Sequence, residues 1–386
     1  MIISYFYGMT RSKLPENPKS IFAEMTQLAI QHGALNMSQG FPSFPASQEL
    51  KELASQAILE DHNQYAPMTG LPALRVAISQ MFESQHQAFY DPNQEICITA
   101  GATQGIFTAI QATVFKGDEV ILFTPAYDCY EPAIKVAGGI PIKIPMRMPD
   151  FTIDWDHVRD AISSKTKMII INSPHNPSGK LMTHEDMLQL EKIAVENDLI
   201  VLSDEVYEFM VFDDHEHRSA SRYPGLKERS FVMGSFGKTF HVTGWKTGFC
   251  LAPPALMKEF LKVHQQVVFC VNQPIQHAIA HYLKQPQHYL DLGQFYQRKR
   301  DLFLNLIKDS RFQFKPSEST YFQLLDYSEI TDESDLAFAK AITINHKIAS
   351  IPISVFMQGR DPEMLRFCFA KEDEELVAAA KILNEL

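Results

Sequence analysis

Six short, nearly continuous apolar runs recur through the middle of the chain: Ile96 to Thr99, Val120 to Thr124, Met168 to Asn172, Leu199 to Ser203, Phe231 to Ser235 and Gly248 to Ala252. Each is bounded by Gly, Pro, Asp or Asn. A strand with one wet face alternates apolar and polar residues, so runs this continuous read as strands buried on both faces. Helices connecting parallel strands provide that cover. Helical patterns do lie between the runs, at Gln104 to Phe115 and at Glu185 to Glu196 after the candidate cap Thr183. The centre of the chain therefore reads as an α/β layer structure around a mainly parallel sheet.

The last third changes character. Gln287 to Ile307 has the pattern of one long polar-faced helix, Thr320 to Leu325 and Ile348 to Ile353 read as β-rich, Met364 to Phe369 as a strand, and Glu372 to Leu386 as a closing amphipathic helix. This predicts a second, smaller α+β domain with its boundary near residue 290. A chain of 386 residues is long enough for two domains at roughly 150 residues each.

Composition then excludes several classes. Lys and Arg number 35 against 46 Asp and Glu, a net charge of −11, whereas a nucleic-acid partner needs a basic footprint. The five cysteines (Cys97, Cys129, Cys250, Cys270, Cys368) are scattered, without a Cys-x-x-Cys pair, which argues against a disulfide framework or thiolate zinc site and for a reducing compartment. The N-terminus has no basic residue ahead of its short apolar stretch, and no apolar run reaches spanning length. The expectation is a cytoplasmic enzyme with no membrane and no nucleic-acid partner, and residues 1 to 8 read as an extension ahead of Met9.

Four segments place chemically capable residues just after apolar runs, where open parallel sheets bind ligands. Thr99-Ala100-Gly101-Ala102-Thr103-Gln104-Gly105 runs from a strand through a Gly turn into a helix, and free N–H groups with the helix dipole make an anion cradle there. It matches neither G-x-G-x-x-G nor the P-loop, and alone it is also an ordinary strand-to-helix turn. Asn172-Ser173-Pro174-His175-Asn176-Pro177-Ser178-Gly179 is a rigid loop that can hold the Asn176 amide in one direction, or simply a connection. Leu202-Ser203-Asp204-Glu205-Val206-Tyr207 puts a carboxylate at a strand end, either facing a cation or capping a helix. Ser235-Phe236-Gly237-Lys238-Thr239, followed by Thr243-Gly244-Trp245-Lys246-Thr247-Gly248, places a lysine among small residues. Burial there lowers its pKa and makes its amine a nucleophile for carbonyls; on a surface turn both lysines are unremarkable.

A phosphate cradle, a carboxylate for a pyridinium, hydroxyl and amide donors and an aldehyde-capturing lysine together describe pyridoxal 5′-phosphate (PLP). With Ser38-Gln39-Gly40-Phe41-Pro42, Asn63-Gln64-Tyr65-Ala66-Pro67-Met68-Thr69-Gly70 and Arg366 in the same order, the chain resembles the class I/II aminotransferases of PLP fold type I. More narrowly it is similar to the methionine and kynurenine/glutamine transaminase subgroup.

The resemblance implies a large PLP-binding domain over residues 46–288, and a small domain formed by 1–45 and 289–386. It implies that Lys238 carries the cofactor, that Asp204 partners the pyridine nitrogen, and that Asn176 and Tyr207 bond the phenolate oxygen. Tyr127 stacks on the ring, while Gly101, Ala102, Thr103, Ser235 and Lys246 hold the phosphate. Tyr65 reaches the phosphate of a neighbouring subunit, which implies a homodimer with shared sites. Arg366 clamps the substrate α-carboxylate with Gly40 and Asn176, and Phe41 and Tyr65 are side-chain contacts. Three departures stand out: Ser178 replaces the threonine of Asn-Pro-Thr-Gly, Lys246 replaces an arginine and so loses its fork, and His241 occupies a place where a small or aliphatic residue is usual.

The implied reaction moves an amino group from an L-amino acid (methionine, aromatic, glutamine or kynurenine) to a 2-oxo acid, with ping-pong kinetics and Lys238 as the base. A cysteine-S-conjugate β-lyase shares the first steps and stands as an alternative, as does a non-catalytic PLP-binding regulatory module. A metal-dependent hydrolase built on Asp213, Asp214, His215 and His217 is a third; that run also reads as a solvated loop.

Overall fold

The computed structural model describes residues 12–15, 20–357 and 361–386; the segment 1–8 lies outside them. All six apolar runs are strands: β1 (Ile96–Thr99), β2 (Glu119–Thr124), β4 (Thr166–Asn172), β5 (Ile200–Asp204), β6 (Ser230–Ser235) and β7 (Gly248–Leu251). They are joined by β3 (Ile140–Pro145), an edge strand, in a seven-stranded sheet ordered β1-β7-β6-β5-β4-β2-β3. Pairing is parallel from β6 to β3, while β7 runs antiparallel to both β1 and β6.

Both faces of this sheet are dry. Ile169, Ile171, Val201 and Val232 lie in one core with Met187, Leu190 and Ile193 of the helix His184–Glu196. Met168, Ile170, Leu202, Phe231 and Met233 lie in the other with Ile106, Ala109 and Ile110 of the helix Ala102–Thr113. Each such side chain contributes about 1.5–3 kcal/mol when fully buried, so the layers hold the strand ends rigidly. Thr183 starts the first helix through a reciprocal capping box with Asp186.

Beyond the main sheet, β8 (Phe322–Asp326), β9 (Ile351–Pro352) and β10 (Met364–Cys368) form an antiparallel sheet ordered β9-β10-β8. The stretch from Ile348 to Ile353 is not one strand. It divides at Ser350, and Ile348–Ala349 pairs instead with Leu35–Asn36. The expected long helix also divides, into Gln287–Leu290 and Leu292–Ile307 around Asp291. Helix Ile21–His32 packs on Asp335–Asn345, and Leu292–Ile307 on the closing helix Asp373–Asn384. Among the described residues no helix is long and apolar enough to cross a membrane, and the five cysteines are free.

Register decides where the chemistry gathers. Asn172 lies opposite Asp204, and Gly248 lies opposite both Ser235 and Thr99. Four connecting segments therefore leave the sheet along one edge.

Candidate active site

At that edge opens a cavity of about 340 Å³. Gly40, Gly101, Ala102, Thr103, Tyr127, Asn176, Asp204, Tyr207, Ser235, Lys238, Lys246 and Arg366 all line it. Two candidates from the sequence do not. Tyr65 is 82 % exposed, its ring edge-on to Phe269, and Phe41 is 45 % exposed beneath the Lys371 amine.

Asp204 ends β5 and is buried. Tyr130 Oη donates to its Oδ2 at 2.5 Å, and the backbone N–H of Val206 reaches Oδ1 at 3.4 Å. Burial outweighs these bonds and pushes the carboxyl up to about 6. The carboxylate thus lacks a full counter-charge and is poised for a cationic ligand atom.

Lys238 follows β6 in a short helical turn, Phe236–Thr239. Burial pulls its amine down to about 8. Nζ donates to Gly40 O at 2.9 Å and to Tyr321 Oη at 2.8 Å. A lysine in this state reaches its nucleophilic form near neutral pH.

The Asn172 side chain ties two segments together. Its Nδ2 donates to Asp204 O (2.9 Å) and its Oδ1 accepts from Asn176 N (2.9 Å). Asn176 Oδ1 accepts in turn from Arg366 Nη1 at 2.7 Å, which leaves the Asn176 amide hydrogens as donors for a ligand. Arg366 is 1 % exposed, donates to Ser38 O at 3.0 Å, and stacks over Phe322 with its guanidinium carbon 3.9 Å from the ring centre. Its Nε has no partner. Burying a guanidinium against neutral groups costs free energy that an anionic ligand would recover. Nη1 and Nη2 each use one hydrogen on Asn176 and Ser38, and a lining guanidinium with further hydrogens to give suits a carboxylate clamp.

Another part of the lining carries the residues of the expected anion cradle. Gly101 precedes the helix Ala102–Thr113, which has no side-chain cap, and holds φ +77°, a backbone conformation that side-chain-bearing residues rarely adopt. A Cβ there would lie 3.4 Å from Lys246 Nζ, so the space beside Gly101 belongs to the ammonium. Unsatisfied N–H groups, a helix dipole, Ser235 and a lysine make a donor set that fits a phosphate. The acid, amine, aromatic and amide groups on the other walls fit a substituted pyridine aldehyde.

Tyr130, Tyr321, Phe22 and Phe322 complete the site without having been marked in the sequence. Tyr130 opens the helix Tyr130–Ala137, with its ring edge-on to that of Tyr127 at 5.9 Å, a contact made through the preceding loop that residue spacing does not show. Tyr321 and Phe322 sit in a run that reads only as core. The Asp213–His217 run does not converge. Asp213 forms a paired contact with Arg300, and His217 is buried against Glu205. Among the described residues no three His, Cys, Asp or Glu side chains could share a metal ion.

Comparison with known proteins agrees with this geometry. The chain is 43% identical over 378 residues to methionine aminotransferase of Escherichia coli (strain K12), covering 97% of this chain and 98% of that one. It is 35% identical over 397 residues to kynurenine–oxoglutarate transaminase 3 of Mus musculus, covering 95% and 87%. The crystal structure of YbdL from Escherichia coli, a methionine aminotransferase, superposes with a TM-score of 0.96 at 43% identity, over 98% of this chain and all of that one (100%). The sequence model of the family described as "Aminotransferase class I and II" matches residues 33–383. The chain belongs to the class I and II aminotransferases, enzymes that move amino groups between amino and 2-oxo acids.

Proposed function

We propose that this aminotransferase holds PLP in the cavity at the strand ends, with Lys238 as the residue that captures its aldehyde and later moves the substrate α-proton. The observation that carries the reading is that Lys238, Asp204, Asn176, Tyr207, Lys246 and Arg366 line one cavity. When bound, PLP supplies an electron sink that lets the α-C–H bond of an amino acid break.

The chain's own residues then divide the work. Asp204, ionised above about pH 6, would partner the cofactor's pyridine nitrogen and hold its proton. Asn176 and Tyr207 donate to the ring oxygen, and Tyr127 covers one ring face. The N–H groups of Gly101, Ala102 and Thr103, with Ser235 and Lys246, receive the phosphate; Lys246 acts as a point charge. Arg366 receives the α-carboxylate, assisted by Gly40 and Asn176. The Lys238 amine would accept and hand back the substrate α-proton, as general base and then general acid.

Substrate and assembly follow from what surrounds these groups. Phe22 and Phe322 line the cavity beside Arg366, the one arginine lining it among the described residues. An amino acid with an apolar side chain, methionine or an aromatic, suits these walls better than a dicarboxylate, and the two relatives above point the same way. Tyr65 and Phe269 form an exposed aromatic pair, which supports a homodimer in which Tyr65 serves the neighbouring site. The division into residues 46–288 against 1–45 with 289–386 rests on the packing of Ile21–His32 and Leu35–Asn36 with the C-terminal part. Free cysteines support a cytoplasmic setting.

The test is the visible spectrum of the purified protein. The reading expects an absorption band of lysine-bound PLP that L-methionine bleaches and a 2-oxo acid restores, and borohydride reduction that fixes the cofactor on Lys238. A protein that stays colourless after reconstitution with PLP overturns it.

A further inference from the structure

Tyr321 precedes β8 and is fully buried. Its Oη donates to Gly40 O at 2.5 Å and accepts from Lys238 Nζ at 2.8 Å, while Nζ donates again to Gly40 O at 2.9 Å. Three groups far apart in the chain thus close a triangle around one amine. The ring cannot swing away, because it is edge-on to Tyr207 (5.3 Å, 85°) and Phe322 (4.9 Å, 72°) and tilted against Tyr296 (5.6 Å). The same short segment that offers Gly40 O offers Ser38 O to Arg366. One stretch of backbone therefore accepts hydrogen bonds from both Lys238 and Arg366, which line the same cavity.

A lysine amine on a four-carbon stem has many rotamers, and most would carry Nζ off the line of proton transfer. Resting on the reading that Lys238 carries the cofactor, we propose that Tyr321 is a positioning residue. With Gly40 O it receives the Lys238 amine whenever that amine is free, and it aims the remaining N–H or lone pair at the substrate's α-carbon. The proton balance is closed. Nζ takes one proton from the α-carbon, becomes an ammonium whose other hydrogens are held by Tyr321 Oη and Gly40 O, and returns one proton. The phenol keeps its own hydrogen on Gly40 O throughout, since burial holds it well above its ordinary pKa.

The experiment compares holoenzyme of wild type, Tyr321→Phe and Tyr296→Phe. The last is a control for packing, because it removes a neighbouring buried hydroxyl that has no partner. Borohydride reduction and peptide mapping first establish that the cofactor sits on Lys238; if it does not, the underlying reading falls and this proposal with it. Each protein is then converted to its amino form with excess L-methionine, and Lys238 is competitively acetylated across pH. Loss of an acceptor for the ammonium should lower the labelling midpoint of Tyr321→Phe by about one pH unit. Exchange of the methionine α-hydrogen with solvent deuterium should slow by about tenfold or more, with KM changed less than about threefold. Tyr296→Phe should leave both readouts at wild-type values. A Tyr321→Phe enzyme that carries its cofactor on Lys238, yet labels and exchanges like wild type, overturns the proposal alone.

Discussion

The phenol of Tyr130 donates a 2.5 Å hydrogen bond to Asp204, the carboxylate that ends the strand Ile200–Asp204. The bond favours the ionised acid against the burial that pushes it up to about 6. Tyr130→Phe removes it. The acid should then protonate at higher pH, so the acidic limb of the kcat/KM profile should move up by about one unit. A limb that stays in place would mean that Asp204 takes its ionisation from the cofactor alone.

Asp204 also sets activity against stability. A carboxyl whose folded pKa lies near 6 rather than 3.8 binds its proton more tightly in the folded chain than in the unfolded one. Its contribution is neutral below about pH 4 and becomes destabilising as pH rises through 6. The difference corresponds to about 3 kcal/mol at neutral pH. Cofactor-free Asp204→Asn should therefore resist denaturant better than cofactor-free wild type at pH 7.5, and lose that advantage at pH 4. Its transaminase activity should fall on the order of 10²- to 10³-fold.

Glu205 faces away from Asp204 into the core, where Oε2 contacts His217 Nε2 at 2.9 Å and Oε1 accepts from Ser203 (2.6 Å) and from Ala220 N (2.9 Å). Burial would raise this carboxyl, but the bond and charge of His217 and the Ser203 hydroxyl outweigh it and hold the group below its ordinary 4.5. Such a group stabilises the fold above that ordinary value, and the contribution is lost as pH falls through the lowered one. Glu205→Ala leaves His217 and the Ala220 N–H without their partner and should cost about 3–5 kcal/mol, read as a lower urea midpoint at pH 7. It should also flatten the acid side of the stability curve.

The cradle predicts two separable losses. Gly101→Ala puts a methyl 3.4 Å from Lys246 Nζ at φ +77° and should weaken PLP binding by about tenfold or more through strain. Lys246→Ala removes the charge and not the backbone, and should weaken it by about 10- to 100-fold, with a smaller salt dependence than wild type. Titration of PLP into each cofactor-free variant measures both.

Central strands were legible to within a residue or two, because a strand buried on both faces must be apolar throughout. Of the two edge strands, Ile96–Thr99 was legible and the other was not. Ile140–Pro145 reads Ile-Pro-Ile-Lys-Ile-Pro, and its prolines and lysine are tolerated only because one side of an edge strand needs no ladder bonds. Nor does any local pattern reveal that Gly248–Leu251 runs antiparallel to both its neighbours. The site divided in the same way. Lys238, Asp204 and Asn176 stand out because charged or amide groups beside apolar runs need a reason, whereas Arg366 came only with the family resemblance. Tyr130 and Tyr321 look like ordinary core until the fold turns their hydroxyls toward Asp204 and Lys238. The stretch around Ser350 divides because its two halves pair with different strands, Leu35–Asn36 and Met364–Cys368, partners that sequence spacing does not show.

The antiparallel strand Gly248–Leu251 has one more effect, on the order of events during synthesis. It inserts between Ile96–Thr99 and Ser230–Ser235, pairing Ile96 with Leu251. A Cβ at Gly248 would lie 3.1 Å from Ala102 N and 2.5 Å from Gly234 O, so the first turn of the helix Ala102–Thr113 is set against this glycine. A nascent chain that has not yet emerged past Gly248 has no finished anion cradle, and one that stops before Arg366 has no carboxylate clamp. On the proposed assignment, cofactor capture thereby waits until Gly248–Leu251 has been made, and substrate capture until Arg366 has. Products truncated before Gly248 should lack the stabilisation that a bound cofactor brings and should be cleaved faster by protease than the full chain with PLP.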